Sequence, residues 1–323
     1  MATQIFAYIK HKGGVADDTA LELISAGKAV DASADLTAIV VGSGPELNQV
    51  CSQVAASYGQ VWKIDNNALA YPNAEKIRTT LIRVLPEKAV VLVPHDAFGM
   101  DLSPGLSIKL NAAYAADVIA IEKVSDDELK VVRQEFGGQV SSASLCRSDN
   151  GVVINVRPGS FPPVENSAGI GEVIDKSSYA GDFSAGREFV ELIAVEAGDV
   201  DITKEDVLIS IGRGIGDEEG VKIAEELAEA MGGVVCCSRP IVDAKWMDKS
   251  RQVGTSGQTV KPKVYMACGI SGSFQHLGGI KGNPFIVAIN KNAKAPIFQV
   301  ADVGIVADIM EFLPELTEKI NEG

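Results

Sequence analysis

Glycine-rich polar segments follow apolar runs at several points in the second half of the chain, and each could bind an anion. Residues 212–220, GRGIGDEEG, come after the apolar run DVLISI and open a segment of helical pattern. Backbone N–H groups in such a turn bind the phosphates of a nucleotide. The full GxGxxG spacing is missing, however, so an ordinary strand-to-helix turn explains these residues equally well.

Two arginines stand directly after predicted strands. Arg213 lies in the GRGIG turn, and Arg239 follows the run VVCCS. A guanidinium at a strand end can hold a phosphate with two hydrogen bonds or stack on an aromatic ring. In a chain with 43 acidic and 29 basic residues, a surface ion pair is the competing explanation for both.

Two further loops carry hydroxyl groups and a histidine. Residues 253–257, VGTSG, offer two hydroxyls and backbone amides, although a simple flexible loop has the same composition. Residues 269–279, GISGSFQHLGG, place four glycines and His276 between two runs that have the pattern of buried strands. Each glycine loses conformational freedom on folding, so this density indicates a backbone that closely approaches a flat or charged ligand. A buried core histidine is the alternative for His276.

Other catalytic chemistries have little support. The sequence contains no GxSxG, HExxH or P-loop pattern, the motifs typical of hydrolases, metalloproteases and nucleotide triphosphatases. His95 and Asp96 are adjacent, so on a strand they would point to opposite faces. That arrangement disfavours a hydrolase dyad.

The cysteines do not have the spacing of a metal or disulfide site. An odd number without a CxxC pair predicts neither a disulfide framework nor a zinc or iron–sulfur centre. Cys236 and Cys237 are expected to fill a buried strand rather than to form a redox pair. The full set is Cys51, Cys146, Cys236, Cys237 and Cys268.

Composition limits the partners and the location. The net charge of −14 over 323 residues argues against nucleic acid, because phosphate binding needs a basic face. No segment reaches the ~20 apolar residues of a membrane span, and the N-terminus lacks the basic start and long apolar core of a signal peptide. We therefore expect no membrane insertion and a cytoplasmic location, a mitochondrial matrix being less favoured.

The elements that would position these loops alternate between strand and helix. In the first half, runs such as LTAIVVGSG and AVVLVPHD read as buried parallel strands separated by helices. Short alternating runs and a DNG turn at residues 149–151 predict antiparallel strands in the middle of the chain. The second half resumes with the predicted strands DVLISIG, GGVVCCSR, VYMACGI, FIVAIN and IFQVAD, and with a final helix that Pro314 interrupts or restarts.

This pattern predicts an α/β fold with two doubly wound parallel-sheet domains, the C-terminal one Rossmann-like, and a short antiparallel segment between them. We place the domains at residues 1–195 and 196–323. Ligands of open α/β sheets bind outside the carboxyl ends of the strands. The polar segments of the second half all follow strands, so the sequence predicts an elongated ligand across that edge of the C-terminal sheet.

The same segments carry a family resemblance. Residues 238–246 (SRPIVDAKW), 252–282 (QVGTSGQTVKPKVYMACGISGSFQHLGGIKG), 286–308 (IVAINKNAKAPIFQVADVGIVAD) and 314–320 (PELTEKI) resemble the C-terminal signature of the electron transfer flavoprotein alpha subunit. The first half, from DDTALELISAGKAV to VRPGSFPPVE, is also similar to this family. The resemblance therefore runs the length of the chain.

The resemblance implies an alpha subunit that pairs with a beta subunit, binds FAD in its C-terminal domain and relays electrons. The redox partner would be an acyl-CoA dehydrogenase-type or quinone-linked protein. The N-terminal domain and the beta subunit would form a platform on which the flavin domain swivels. It implies an electron carrier with no catalytic side chain and no metal of its own.

The FAD contacts implied by the resemblance fall on the loops described above. Arg239 would lie by the isoalloxazine ring and favour its anionic forms, Ser256 near the ring nitrogen N5, and His276 by the pyrimidine edge. The remaining implied contacts are Arg213 and Ser238 at strand ends; Val253, Gly254 and Thr255 near N5 and the diphosphate; Ser271, Gly272, Ser273, Phe274 and Gln275 at the diphosphate and ring; and Asn290, Asp308 and Ile309 at the adenosine end.

One position departs from the family pattern. The family usually has Gln-Thr where this chain has Thr255 and Ser256. Ser256 keeps a hydroxyl that can donate to the flavin, so flavin binding is expected to survive. The missing glutamine amide is expected to alter the redox potential.

Three alternatives stay open at this point. Some family heterodimers are electron-bifurcating, with a second FAD in the beta subunit that takes electrons from NADH and sends them to ferredoxin and an acyl-CoA dehydrogenase. A nicotinamide-dependent dehydrogenase would use the same sheet, but it predicts an acidic residue where Ser238 and Arg239 stand. A non-catalytic binding subunit with a degenerate pocket is disfavoured by the near-complete set of loop residues.

Overall fold

The structure is a computed structural model that describes residues 4–136, 139–164, 171–181, 183–191 and 200–322. The chain divides into two compact units, Met1–Glu191 and Leu192–Gly323. The boundary predicted between residues 195 and 196 falls in the stretch 192–199, outside the described residues.

The first unit consists of parallel strands joined by helices, with a three-stranded antiparallel extension. Its helices in the described part are α1 (Thr19–Val30), α2 (Pro45–Ala55), α3 (Ala74–Val84) and α4 (Ala97–Leu110). Its strands are β1 (Ile5–Ile9), β2 (His11–Lys12), β3 (Val15–Ala16), β4 (Leu36–Gly42), β5 (Gln60–Asp65), β6 (Val90–Pro94), β7 (Ala113–Ser125), β8 (Glu128–Glu135), β9 (Val140–Arg147), β10 (Val152–Val156) and β11 (Glu172–Asp175).

The central strands β4, β1, β6 and β10 of this unit's main sheet are buried on both faces. Among the described residues the sheet has the order β11-β5-β4-β1-β6-β10-β7-β8-β9. Successive residues of β1 alternate between its faces, so Ile5 and Ile9 pack in the core under α1 and α2, whereas Phe6 and Tyr8 pack in the core under α3 and α4. Burial on both sides explains why the parallel strands read as continuous apolar runs.

The predicted antiparallel strands are present, but they belong to the first sheet rather than to a segment between the units. Strand β8 pairs antiparallel with β7, and β9 pairs antiparallel with β8. The hairpin predicted at the DNG turn is wrong, because β10 leaves β9 after this turn and pairs in parallel with β6 and β7. Gly151 instead lies so close to the backbone at Ala89 that a side chain would not fit, since a Cβ there would lie 2.5 Å from the carbonyl oxygen of Ala89.

The second unit contains one parallel sheet. Its described strands are β12 (Val207–Ile211), β13 (Val234–Cys237), β14 (Val264–Cys268), β15 (Phe285–Ile289) and β16 (Val303–Ile305), in the order β13-β12-β14-β15-β16. Its helices are α5 (Glu218–Ala230), α6 (Arg239–Asp243), α7 (Phe274–Leu277) and α8 (Ile309–Glu322). The predicted fold class is confirmed in both units.

The two faces of the second sheet are covered differently. Helices α5, α6 and α8 pack on one face, where Val221, Ala224, Leu227 and Ala228 of α5 are buried and Met231 is partly buried. The other face is covered by irregular segments around residues 253–260, 270 and 295–298 and by the short helix α7. Polar loops therefore lie directly against this face of the sheet.

Two element predictions are wrong in detail. The predicted strand IFQVAD is a 3-10 turn, Pro296–Gln299, and pairing begins only at Val303. Proline has no N–H to donate to a neighbouring strand. Helix α8 runs through Pro314 without interruption, because burial of Ile309 and Leu313 on the α5 side outweighs one lost hydrogen bond.

Candidate functional site

A topological switch point lies between β12 and β14. The chain leaves β12 toward β13 on one side, and then returns to form β14 on the other side of β12. The loops after β12 and β14 therefore diverge at the carboxyl edge, which opens a crevice where open α/β sheets bind their ligands. The predicted site segments 212–216 and 269–276 begin at this crevice.

Glycines allow these two loops to touch through their backbones. A Cβ added to Gly212 would lie 2.5 Å from the carbonyl oxygen of Gly269, and one added to Gly214 would lie 2.6 Å from the Cα of Gly269. Gly269 itself has a φ of 66°, a conformation that side chains disfavour. Contact between the loops thus accounts for these three glycines.

The start of α5 is less suited to phosphate than its sequence indicates. The Asp217 side chain accepts a hydrogen bond of 3.0 Å from the N–H of Gly220 and caps the helix. Glu218 and Glu219 add negative charge in the first turn. The positive end of the helix dipole is therefore already neutralised by carboxylates, and the GRGIGDEEG segment acts as a strand-to-helix turn.

The two predicted arginines are both exposed at strand ends. Arg213 forms no ion pair with any described residue. Arg239 begins α6, and its Nε lies 3.5 Å from a carboxylate oxygen of Asp243, with 70% of the side chain exposed. The surface ion pair considered for Arg239 is therefore present. Because the Arg239 side chain is largely exposed, its guanidinium can still reach a ligand. Its neighbour Ser238 is 8% exposed.

The loops 253–257 and 271–279 pack on each other. The N–H of Thr255 donates to the carbonyl oxygen of Gln275 at 2.8 Å. A Cβ on Gly254 would lie 2.9 Å from that same oxygen, and one on Gly279 would lie 2.3 Å from the nitrogen of Gly254. The close contact makes the two loops one continuous surface, on which the side chains of Thr255, Ser256 and Gln275 are exposed.

A buried glutamine that the sequence analysis missed orients Ser256. The Nε2 of Gln252 donates to the Ser256 hydroxyl at 2.9 Å, and Gln252 is only 4% exposed. Because the hydroxyl oxygen accepts this bond, its own hydrogen stays available to a ligand. An amide therefore does contact this position, although from residue 252 rather than from the position where the family has glutamine.

His276 lies inside the unit rather than on its surface. The residue is 4% exposed, and its Nε2 lies 2.8 Å from the Tyr265 hydroxyl, which donates at 2.7 Å to Ser210. Burial lowers the pKa of His276 to about 4, while the backbone of Val253 acts weakly in the opposite direction. Its Nδ1 is buried and forms no hydrogen bond of normal geometry with the described residues.

The residues predicted for the adenosine end cluster around the carboxyl ends of β14–β16. Asn290 Nδ2 donates to the carbonyl oxygen of Ile270 at 2.9 Å. Asp308 lies 2.7 Å from Lys291 Nζ, and this hydrogen bond lowers the pKa of its carboxyl group. Ile309 is buried against Gly269, where an added Cβ would lie 2.9 Å from Ile309 Cδ1.

The remaining predicted residues form the turn before α7. Gly272 has a φ of 85°, and a Cβ there would lie 2.3 Å from the nitrogen of Ile297. The same nitrogen donates to the carbonyl oxygen of Ser271 at 3.1 Å. Ser271, Ser273 and Phe274 are exposed, Phe274 by 67%. All the predicted site residues thus follow strands of one sheet at its carboxyl edge.

The described residues contain no group of three or more histidine, cysteine, aspartate or glutamate side chains that could hold a metal ion. No helix among them combines the length and the apolar character needed to cross a bilayer.

Comparison with known proteins gives full-length matches. A family model described as electron transfer flavoprotein domain matches residues 5–179, and one described as electron transfer flavoprotein FAD-binding domain matches residues 201–281. The chain is 32% identical to an electron transfer flavoprotein subunit alpha of Clostridium acetobutylicum over 326 residues, covering 98% of this chain and 96% of the relative.

Two other relatives match over a similar extent. Protein FixB of Clostridium saccharobutylicum is 31% identical over 323 residues, covering 98% of this chain and 96% of that protein. An electron transfer flavoprotein subunit alpha of Methylophilus methylotrophus is 32% identical over 322 residues, covering 98% of this chain and 99% of that protein. The similarity therefore spans both units.

Proposed function

The chain belongs to the electron transfer flavoprotein alpha-subunit family, and on that premise we propose that its second unit binds FAD across the carboxyl ends of β12–β16. The single observation that carries the proposal is the surface formed at the switch point by loops 253–257 and 269–279. That surface combines closely packed backbones with exposed hydroxyls, and the exposed guanidinium of Arg239 follows the neighbouring strand β13, which suits a flat ring joined to a diphosphate.

The residues present fit FAD. Gly212, Gly214 and Gly269 bring the loops after β12 and β14 together through their backbones, and as glycines they place no side chain in the crevice above that contact. The buried Nδ1 of His276 lacks a partner of normal geometry among the described residues. Strand β13 ends at Cys237 and is followed by Ser238 and Arg239, whereas NAD binding favours an acid at this position.

When bound, FAD supplies one- and two-electron redox chemistry that no side chain can provide. The chain's own residues bind and orient the cofactor. The loop 271–276 offers hydroxyls and backbone amides to the diphosphate, and Ser256, oriented by Gln252, offers a hydrogen to the ring. Arg239 places a positive charge at a strand end, which stabilises negative charge on a nearby ring. Asn290 and Asp308 hold the adenosine end.

The partners follow from the family. We propose that a beta subunit pairs with this chain, and that electrons pass between the flavin and a dehydrogenase of the acyl-CoA type. The exposed position of the predicted flavin loops supports such transfer, because a partner can approach the ring edge directly. The cytoplasmic location stays a prediction.

The discriminating experiment compares FAD with FMN, which lacks the adenosine end. Apo-protein purified with its beta subunit is titrated with each flavin, and quenching of flavin fluorescence reports binding. FAD should bind at one equivalent in this chain and at least about tenfold more tightly than FMN, because hydrogen bonds to Asn290 and Asp308 are lost with FMN. Asp308→Asn should narrow that difference. Equal affinity for both flavins would contradict the assigned adenosine end, and no binding of either would contradict the function.

A further inference from the structure

A buried tyrosine hydroxyl joins the central strand of the second sheet to the predicted flavin loops. Tyr265 lies in β14 and is fully buried. Its hydroxyl lies 2.7 Å from the Ser210 hydroxyl on β12 and 2.8 Å from Nε2 of His276 on α7. Neither the sequence patterns nor the family signature identifies a role for Ser210 or Tyr265.

We propose that Tyr265 is a positioning residue of the flavin site, whose hydroxyl holds His276 in one orientation and one tautomer behind the flavin-facing loops. This inference rests on the proposed function, because it assigns a residue that acts on that site. Tyr265 itself is fully buried, and its hydroxyl meets the loop at Nε2 of His276. It acts through His276.

His276 is well placed to transmit this effect. The backbone of His276 and of the residue before it contacts the neighbouring loop. The carbonyl oxygen of Gln275 accepts from the N–H of Thr255 at 2.8 Å, and a Cβ on Gly254 would lie 3.4 Å from the Cα of His276. The imidazole that Tyr265 holds is attached to this backbone, so the packing of the ring and the position of the loop contact are coupled. The surface that presents Thr255 and Ser256 therefore depends on how the ring is held.

Both groups of the pair are neutral across the physiological range. Burial raises the pKa of Tyr265 well above 10 and lowers the pKa of His276 to about 4. The groups that face them are Ser210, Cys236 on β13 and the backbone of Val253. A tyrosine hydroxyl has one hydrogen. If Ser210 receives it, Nε2 of His276 carries the proton and donates to the tyrosine oxygen; if Ser210 donates instead, the tyrosine hydroxyl donates to an unprotonated Nε2.

The test replaces Tyr265 by phenylalanine, which removes only the hydroxyl and keeps the packed ring. Tyr58→Phe is the matched control, because Tyr58 is also buried and its hydroxyl donates to the carbonyl oxygen of Ala20 in the first unit. Ser210→Ala is a second variant that leaves the tyrosine in place. All are made in the full-length chain purified with its beta subunit.

Two readouts separate positioning from loss of stability. Nitrogen-15 NMR of the apo-protein reports the tautomer and the pKa of each imidazole. The chain has only three histidines, and the signal that disappears in His276→Gln is that of His276. FAD titration reports affinity. Tyr265→Phe should change the His276 tautomer signal in apo-protein and weaken FAD binding by about tenfold, and Ser210→Ala should change the same signal. Tyr58→Phe should change neither.

The outcomes distinguish this inference from the function on which it rests. Unchanged His276 signals and unchanged FAD affinity in Tyr265→Phe would overturn the positioning role while the function stands. Weaker FAD binding in both Tyr265→Phe and Tyr58→Phe, with an unchanged imidazole signal, would also overturn it, because general stability would then explain the loss. A wild-type chain that binds no flavin would overturn the function itself.

Discussion

Gly214 and Gly269 approach so closely across the switch point of the second sheet that neither can carry a side chain without a backbone shift. A Cβ on Gly214 would lie 2.6 Å from the Cα of Gly269, and a Cβ on Gly269 would lie 2.7 Å from the Cα of Gly214. The two residues follow β12 and β14, the strands between which the crevice opens. Their contact fixes the floor of the predicted flavin site.

Replacing Gly214 by alanine should disturb this floor. Because the added methyl group meets backbone atoms rather than a flexible side chain, the loops must separate, and we expect a loss of about 1–3 kcal/mol in unfolding free energy together with weaker FAD binding. Urea unfolding and flavin titration measure the two effects. Gly59→Ala is the control, since a Cβ there meets nothing within 4 Å. A Gly214→Ala protein as stable and as flavin-competent as the control would refute this contact.

Removing the charge of Arg239 should lower the midpoint potential of the bound flavin. The guanidinium is largely exposed, so solvent screens it, and we expect a change on the order of tens of millivolts. Arg239→Gln is compared with Arg147→Gln, which removes a similarly exposed charge from the first unit (70% and 78% exposed). Spectroelectrochemical titration measures both potentials. Equal potentials in the two variants would show that Arg239 does not lie near the ring.

The stability of the second unit should depend on the pH between 4 and 6.5 through His276. Burial lowers the folded-state pKa from its ordinary 6.5 to about 4, so between these values the unfolded chain binds a proton that the folded chain does not. The full contribution of His276 to the unfolding free energy is therefore present above pH 6.5. It is lost as the pH falls toward 4, by up to about 3 kcal/mol.

His276→Gln isolates this effect from the carboxylates that titrate in the same range. The difference in urea unfolding free energy between wild type and variant should shrink as the pH is lowered from 7 to 4. A difference that stays constant over this range would mean that His276 titrates normally in the folded protein.

The buried cysteines should be inert in the native state. Cys236 and Cys237 face opposite cores of the second unit, and burial raises the pKa of both thiols to about 12. The thiolate is the reactive form, so iodoacetamide at pH 8 should label neither before unfolding. The half-buried Cys146 should react first. Mass spectrometry should then count five labels in urea; rapid labelling of the Cys236–Cys237 pair would contradict this account.

Periodicity in the sequence predicts most of the fold because the central strands of both sheets are buried on two faces. The parallel strands β4, β6, β12, β14 and β15 appear as continuous apolar runs. The polar residues that follow these strands converge because parallel strands end at a common edge. The general location of the site therefore follows from element order alone.

The errors arise where distant contacts decide the local structure. The DNG turn has the composition of a hairpin, but β10 pairs with β6 and β7, whose positions depend on residues far away in sequence. Pro314 is tolerated because the buried residue Leu313 anchors its helix. Gln252 and Tyr265 could not be identified as site residues, since one isolated polar residue near a strand end carries no spacing signal.

The FAD content of the native complex, full-length chain with beta subunit, tests the central claim most directly. Acid extraction followed by chromatography identifies and counts the released flavin, and a Gly269→Ala complex shows whether the second unit holds it. The account predicts at least one FAD per heterodimer in the wild type and about one fewer in the variant. Two FAD molecules per wild-type heterodimer would place the second one in the beta subunit, as in the bifurcating alternative. A wild-type complex that contains no flavin, and takes up none from added FAD, would contradict the account.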